Sequence, residues 1–387
     1  MADFITDVTN NWMWLLCGMG FAIVLSFIYM FLLRCLVGCI VWGSIFGIFA
    51  LLITMGIIFL YNAGDLGGLE SVIGGNLGIP ELASSEYYRY YGIAMFVIAA
   101  ILFIILLCCC SRIRLAVAIC KSAGQFVVSV YLIIFVPVFF TFLSLLTWAA
   151  CVAVMVYLVS AAPFVIDTTG GDLFTIISDY TDTTLIQFYY FVFATLWCNA
   201  LISAFSIFVI ACACCMWYYS HGPGQDLDAP IARSIKMGLR YHFGSLAFGS
   251  FILAIVQFLQ FLVEVFKKQA EASGQDRAPC FEYVMNCVRC CLACVERIVQ
   301  FLNKTAYIQI ALRGKNFCMA AKDGFEIVWS NGFRYAIASG VGEIVMFMGK
   351  VLIAIASTLC YYLLITFVTS IKIGILQPIF QLLVSFF

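Results

Sequence analysis

Apolar runs of about twenty residues or more recur along this chain of 387 residues, and they constrain its fold more than any other feature. A bilayer core about 30 Å thick is crossed by roughly 20 apolar residues of helix. Inside lipid, only helices and closed barrels satisfy their own backbone hydrogen bonds. The runs fall at 11–33, 36–61, 90–110, 126–162, 185–219, 244–266 and 333–367. They predict an all-α fold, a polytopic transmembrane helical bundle of about 7–8 spans plus cytosolic amphipathic helices, forming a single membrane domain over 1–387. Composition excludes the soluble alternative: 65% of residues are apolar and 10% charged, against roughly 45–50% and 25% in soluble domains.

Only Arg34-Cys35 separates the first two runs, which predicts a tight helical hairpin turning at a basic residue. The tracts 126–162 and 185–219 are each about 35 residues, or roughly 52 Å of helix. That exceeds one upright crossing and predicts tilted or protruding helices, with a kink at Pro137 in the first. The segment 62–89 is Gly-rich and polar and reads as a loop, and the apolar tail 373–387 is too short to span. The segment 280–312 has two readings. Glu282, Arg289, Glu296, Arg297 and Lys304 make it costly against lipid, so it is either an additional crossing shielded by neighbouring helices or a cytosolic amphipathic helix.

Twenty Lys+Arg balance twenty Asp+Glu, but the two signs are segregated. The N-terminal Asp3 and Asp7 and the loops 62–89 and 163–184 hold ten acids and one base, Arg89. The rest of the chain holds nineteen bases and ten acids. Because Lys and Arg near span ends stay on the cytosolic side, the basic stretches 112–121, 233–240 and 267–334 face inward and the acidic loops outward. A chain without a clustered basic excess has no means of neutralising many phosphates, so no nucleic acid is expected as a partner. The start Ala2-Asp3-Phe4-Ile5-Thr6-Asp7 also lacks the basic region of a secretory signal. None of the nineteen cysteines lies in either acidic loop, which suits a reducing inner side.

Catalytic constellations are scarce. His221 and His242 are the only histidines, so there is no paired-histidine metal motif and no bis-His haem site. Neither an enzyme nor a cofactor is expected. Cys287-x-x-Cys290-Cys291-x-x-Cys294 places four thiols toward one helical face. Packing or reversible S-acylation explains them better than zinc, which usually takes ligands from two separated knuckles. Gly43-x-x-x-Gly47 predicts close helix approach. Among polar groups at span depth, Glu343 and Lys350 share a helical face, and Asn199 lies within 185–219; such groups are expensive in lipid and usually face a partner or cavity. Trp148 and Trp197 lie deeper than the interfacial Trp12, Trp14 and Trp217.

Several ordered stretches stand out. They are Leu239-Arg240-Tyr241-His242-Phe243-Gly244-Ser245-Leu246-Ala247-Phe248-Gly249 continuing to Ile255-Val256-Gln257, then the Cys-rich segment followed by Phe301-Leu302-Asn303-Lys304-Thr305-Ala306-Tyr307-Ile308. Next come Gly314-Lys315-Asn316-Phe317-Cys318-Met319-Ala320-Ala321-Lys322-Asp323-Gly324-Phe325 and Phe347-Met348-Gly349-Lys350. In this order they resemble the choline transporter-like family. Against the family's ten-span pattern, the chain is expected to start at the second span, without the first span and the large extracellular domain after it, and to stop partway into the tenth.

The resemblance implies facilitated movement of choline, or of ethanolamine or a related organic cation, across a plasma or organellar membrane. The alternative is a non-transporting membrane scaffold or complex subunit that keeps the fold, with unknown membrane protein partners. A quaternary ammonium donates no hydrogen bonds, so its recognition needs aromatic faces and negative charge. The expected substrate site is therefore Trp148, Trp197, Tyr131 and Asn199 as wall or polar contacts, with Glu343 as counter-charge. The acidic outer loops would raise the local cation concentration by weak, salt-screened steering.

Overall fold

The computed structural model describes residues 12–63, 85–161, 182–220, 229–272 and 279–368. They are almost wholly helical, with no strand among the described residues, and six of the helices are long and apolar enough to cross a membrane. The fold class is the all-α polytopic bundle that the apolar runs predict. The acidic start, the loop residues 64–84 and 162–181, His221 and the tail 373–387 lie outside the described residues.

In chain order the helices are α1 (Trp12–Asn62), α2 (Ser85–Ser129), α3 (Phe135–Ala161), α4 (Asp182–Tyr219), α5 (Pro230–Met237), α6 (Phe243–Ala272), α7 (Pro279–Arg313), α8 (Phe317–Ser330) and α9 (Gly332–Val368). A 3-10 turn, Tyr131–Ile134, precedes α3, and a π turn, Gly238–His242, joins α5 to α6.

Two local features differ from expectation. Helix α1 runs through Arg34-Cys35 as one element of 51 residues, where hydropathy places a hairpin turn. The residues around that point, Leu33-Arg34-Cys35-Leu36, include no glycine or proline, and Leu and Arg are good helix formers, so nothing local stops the helix. Pro137 kinks no helix interior. The tract 126–162 breaks earlier, at Val130, and Pro137 sits in the first turn of α3, where its missing N–H would have had no helical partner.

The chain divides into two compact units, one reaching Val128 and resuming at Gly332, the other Ser129–Asn331. In the first, Val37 and Val41 of α1, Ile113 and Ala116 of α2, and Val341 and Val345 of α9 form a buried core. Apolar contact between helices gains little in lipid, which is itself apolar, so close packing and interhelical hydrogen bonds carry the association. Tyr29 Oη donates to the Val345 carbonyl at 2.8 Å, and a side chain at Gly349 would strike the Tyr29 ring. Close approach thus occurs at Gly349. Gly43 and Gly47 face open space, with nothing within 4 Å of an added Cβ.

In the second unit α4 is central, packing against α3, α5, α6 and α7. Its Phe208, Val209 and Cys212 are buried, as are Leu246 of α6 and Ile310 of α7. An aromatic seam fastens α4 to α6: Phe193 lies 5.7 Å from Phe251 and 5.5 Å from Phe258, both edge-on. Gly249 of α6 lets α7 and α8 come close, since a side chain there would run into Phe317 and the Tyr307 hydroxyl. Helix α7 ends at Gly314, whose φ of 66° is left-handed and whose N–H reaches the Ile310 carbonyl at 2.8 Å. Glycine adopts that conformation without steric cost, so the chain turns sharply into α8.

Candidate functional site

The polar residues of α7 that interrupt its hydropathy are not scattered. Arg289, Glu296, Gln300, Asn303 and Tyr307 recur at helical spacing, so they share one face. That face lines a cavity of about 960 Å³ completed by Gln257, Gln260 and Phe261 of α6, Asn199 of α4, and Ser144 and Trp148 of α3. The opposite face of the first half of α7 is apolar or sulfur-bearing and exposed: Val284, Val295 and Ile298 with Cys287 and Cys291.

Glu296 is the chemical centre of the cavity. Its Oε1 accepts from Gln257 Nε2 and Gln300 Nε2, each at 3.0 Å, and its Oε2 accepts from Gln260 Nε2 at 3.0 Å. All three donors are neutral amides, so they orient the carboxylate and replace part of its hydration without adding a positive charge beside it. The second acid of the wall, Glu264, instead pairs with Arg289 at 3.6 Å. Asn303, buried, donates to the Gly249 carbonyl at 2.8 Å and so fixes α7 on α6 at this depth.

Of the residues expected at the substrate site, the structure brings Asn199 and Trp148 into this cavity. Ser144 donates its hydroxyl to Asn199 Oδ1, and Asn199 Nδ2 donates to the Thr195 carbonyl at 3.0 Å. The Trp148 indole is 47% exposed, leaving ring surface open to a ligand. Trp197 sits instead in the α4–α6 seam, edge-on to Phe251 at 5.3 Å, with its Nε1 donating to the Ala247 carbonyl at 3.2 Å. Tyr131 lines a separate, mostly apolar cavity with Phe135, Phe139 and Pro230. Glu343 is exposed on α9 and belongs to the first unit. The residues that sequence missed are Glu296 and its three glutamines. The available signal was the seven- and four-residue spacing of Arg289, Glu296 and Gln300, which marks a polar helix face.

Beyond the cavity, the turn from α7 to α8 carries a charge cluster: Asp323 contacts Lys315 Nζ at 2.5 Å and Arg313 Nη1 at 3.1 Å. The hydrogen bond from Lys315, aided by the charges of Lys315 and Arg313, holds the Asp323 carboxyl below its usual range. Among the described residues no three His, Cys, Asp or Glu side chains converge as a metal site would require.

The fold and site define a multi-pass helical membrane protein with a cavity between helices that holds a carboxylate. The chain belongs to the choline transporter family: the family model described as plasma-membrane choline transporter matches residues 93–387. It is 32% identical over 359 residues to choline transporter-like protein 2 of Dictyostelium discoideum, covering 92% of this chain and 56% of that protein. Choline transporter-like protein 2 of Salmo salar is 29% identical over 397 residues, covering 90% of this chain and 54% of its own length. Choline transporter-like protein 4 of Xenopus laevis is 28% identical over 389 residues, with 90% and 54% covered. The chain thus spans about half the length of the curated relatives it matches.

Proposed function

We propose that this protein carries choline, or a closely related organic cation such as ethanolamine, across a plasma or organellar membrane, and that the cavity around Glu296 is where the cation binds. The observation that carries the reading is a carboxylate held by three neutral amides in a cavity of about 960 Å³ whose wall includes Trp148, Phe261 and Tyr307. A quaternary ammonium needs negative potential and aromatic faces, and it needs no hydrogen-bond acceptor. The wall offers a carboxylate at Glu296 and aromatic faces, and it also carries Lys304 and Arg289, the latter paired with Glu264. Asn199 and Ser144 supply polar groups for the hydroxyl end of the cation. Glu343 is kept as a second candidate counter-charge.

The same reading makes α7 a membrane crossing. Its 35 residues reach roughly 52 Å, Arg289, Glu296, Gln300, Asn303 and Lys304 line the cavity, and its exposed side bears Val284, Val295 and Ile298, with Asn286 and Arg297 also exposed. Polar residues turned toward neighbouring helices escape most of the cost of facing lipid. With α7 crossing, Arg313 at its end and Lys315, Lys322 and Arg334 after it lie on the cytosolic side, in accord with the positive-inside rule, whereas Lys267 and Lys268 before it lie outward, which departs from the inward placing of the whole stretch 267–334.

Labelled choline uptake into proteoliposomes tests the proposal, with wild type, E296Q and E343Q compared side by side. Saturable uptake that E296Q abolishes supports the assigned cavity. Equal uptake by wild type and E296Q removes Glu296 from the mechanism, and loss in E343Q alone moves the counter-charge there. No saturable flux in the wild type would favour the scaffold alternative.

A further inference from the structure

We infer that Gln257, Gln260 and Gln300 set the selectivity of the cavity for a quaternary over a primary ammonium; the inference rests on the cation-binding role of Glu296 given above. A carboxylate offers about four lone-pair positions to hydrogen-bond donors. On Glu296, Gln257 and Gln300 occupy both positions of Oε1, and Gln260 occupies one of Oε2, each at 3.0 Å. The three donors bring no positive charge to Glu296, while they take up most of its acceptor capacity.

Two classes of cation respond differently to such a group. A primary ammonium draws much of its binding energy from short, charge-assisted hydrogen bonds. To make them here it must displace a glutamine or compete for the one remaining position. A trimethylammonium group has no N–H and is attracted by the charge and by the face of Trp148 at van der Waals distance, neither of which the glutamines obstruct. The three amides thus act as a filter that counts N–H groups. They come from two helices, Gln257 and Gln260 from α6 and Gln300 from α7, so the filter exists only when those helices are packed.

The test measures binding to the purified full chain in nanodiscs, by competition against labelled choline, for ethanolamine, N-methylethanolamine, N,N-dimethylethanolamine and choline. Wild type should bind choline at least about tenfold tighter than ethanolamine, with affinity rising at each methylation. Methylation also adds apolar surface, so the variants Q257M, Q260M and Q300M are compared singly. Methionine keeps the volume and removes the donor. Each should narrow the choline-to-ethanolamine ratio by about threefold or more, and separate variants guard against one that fails to fold. Equal affinity across the series in wild type, or an unchanged ratio in the folded variants, overturns the inference. Binding without flux overturns only the carrier reading, and absence of binding for all four cations overturns both.

Discussion

Gln257 and Glu296 lie 39 residues apart in sequence, and the amide of one donates to the carboxylate of the other at 3.0 Å. The bond joins α6 to α7 across the cavity wall, beside the Asn303 hydrogen bond to the Gly249 carbonyl and the Arg289–Glu264 pair that join the same two helices. It links a residue of the stretch that resembles the family with an acid that hydropathy counts only as a penalty.

Replacing Glu296 by Gln removes the charge and keeps the size. Choline affinity should fall by about tenfold or more, equivalent to roughly 1.4 kcal/mol, while helical content stays the same by circular dichroism. A normal KM for choline in this variant contradicts the assignment.

Trp148 contributes one ring face. W148A should weaken binding of choline and of tetramethylammonium alike, by about 0.5–2 kcal/mol, or roughly twofold to thirtyfold. W197A should instead lower the melting temperature in detergent, because that indole edge-packs on Phe251 and bonds to the Ala247 carbonyl. Equal effects of the two on binding would place Trp197 at the ligand after all.

At Gly249 there is no room for a methyl group beside Phe317 and the Tyr307 hydroxyl. G249A should destabilise the second unit by about 1–3 kcal/mol, read as a lower melting temperature. Adding F317L should recover part of the loss, since residues in contact couple. Additive losses in the double variant would show that the clash lies elsewhere.

The Asp323 carboxyl sits below its ordinary range, first through the Lys315 hydrogen bond and then through the charges of Lys315 and Arg313. A depressed carboxyl stabilises the folded turn fully above the unfolded value, about 3.9, and that contribution is lost as pH falls through the lower folded value. Hydrogen exchange of the amides at 314–322 should be flat from about pH 7 to pH 5 once corrected for intrinsic rates, and should rise only below about pH 4. D323N should show the raised exchange already at neutral pH.

If α7 crosses the bilayer, Cys287 and Cys291 face lipid. In a background with the other cysteines replaced, they should resist a charged, impermeant thiosulfonate in sealed vesicles and react with it once the membrane is dissolved in denaturing detergent, because a thiol in lipid does not ionise. Rapid reaction with the charged reagent in sealed vesicles would place this face of α7 in water.

The solvent of the fold is legible in the length of the apolar runs. Runs such as 185–219 and 333–367 have too much apolar surface to be covered by their own neighbours, so a helical membrane bundle follows from composition and backbone hydrogen bonding alone. Ordered stretches such as Leu239–Gly249 also pointed to the family. The candidate cavity was legible only in part. Asn199 and Trp148 were visible as polar and aromatic groups at span depth, but nothing local indicates that Trp197, two residues before Asn199, turns into a helix seam while Asn199 turns into a cavity. Tertiary structure alone decided what faces Glu296. Hydropathy charges a carboxylate for facing lipid, whereas its actual cost depends on what stands opposite. Here that is three glutamine amides, two of them brought by another helix.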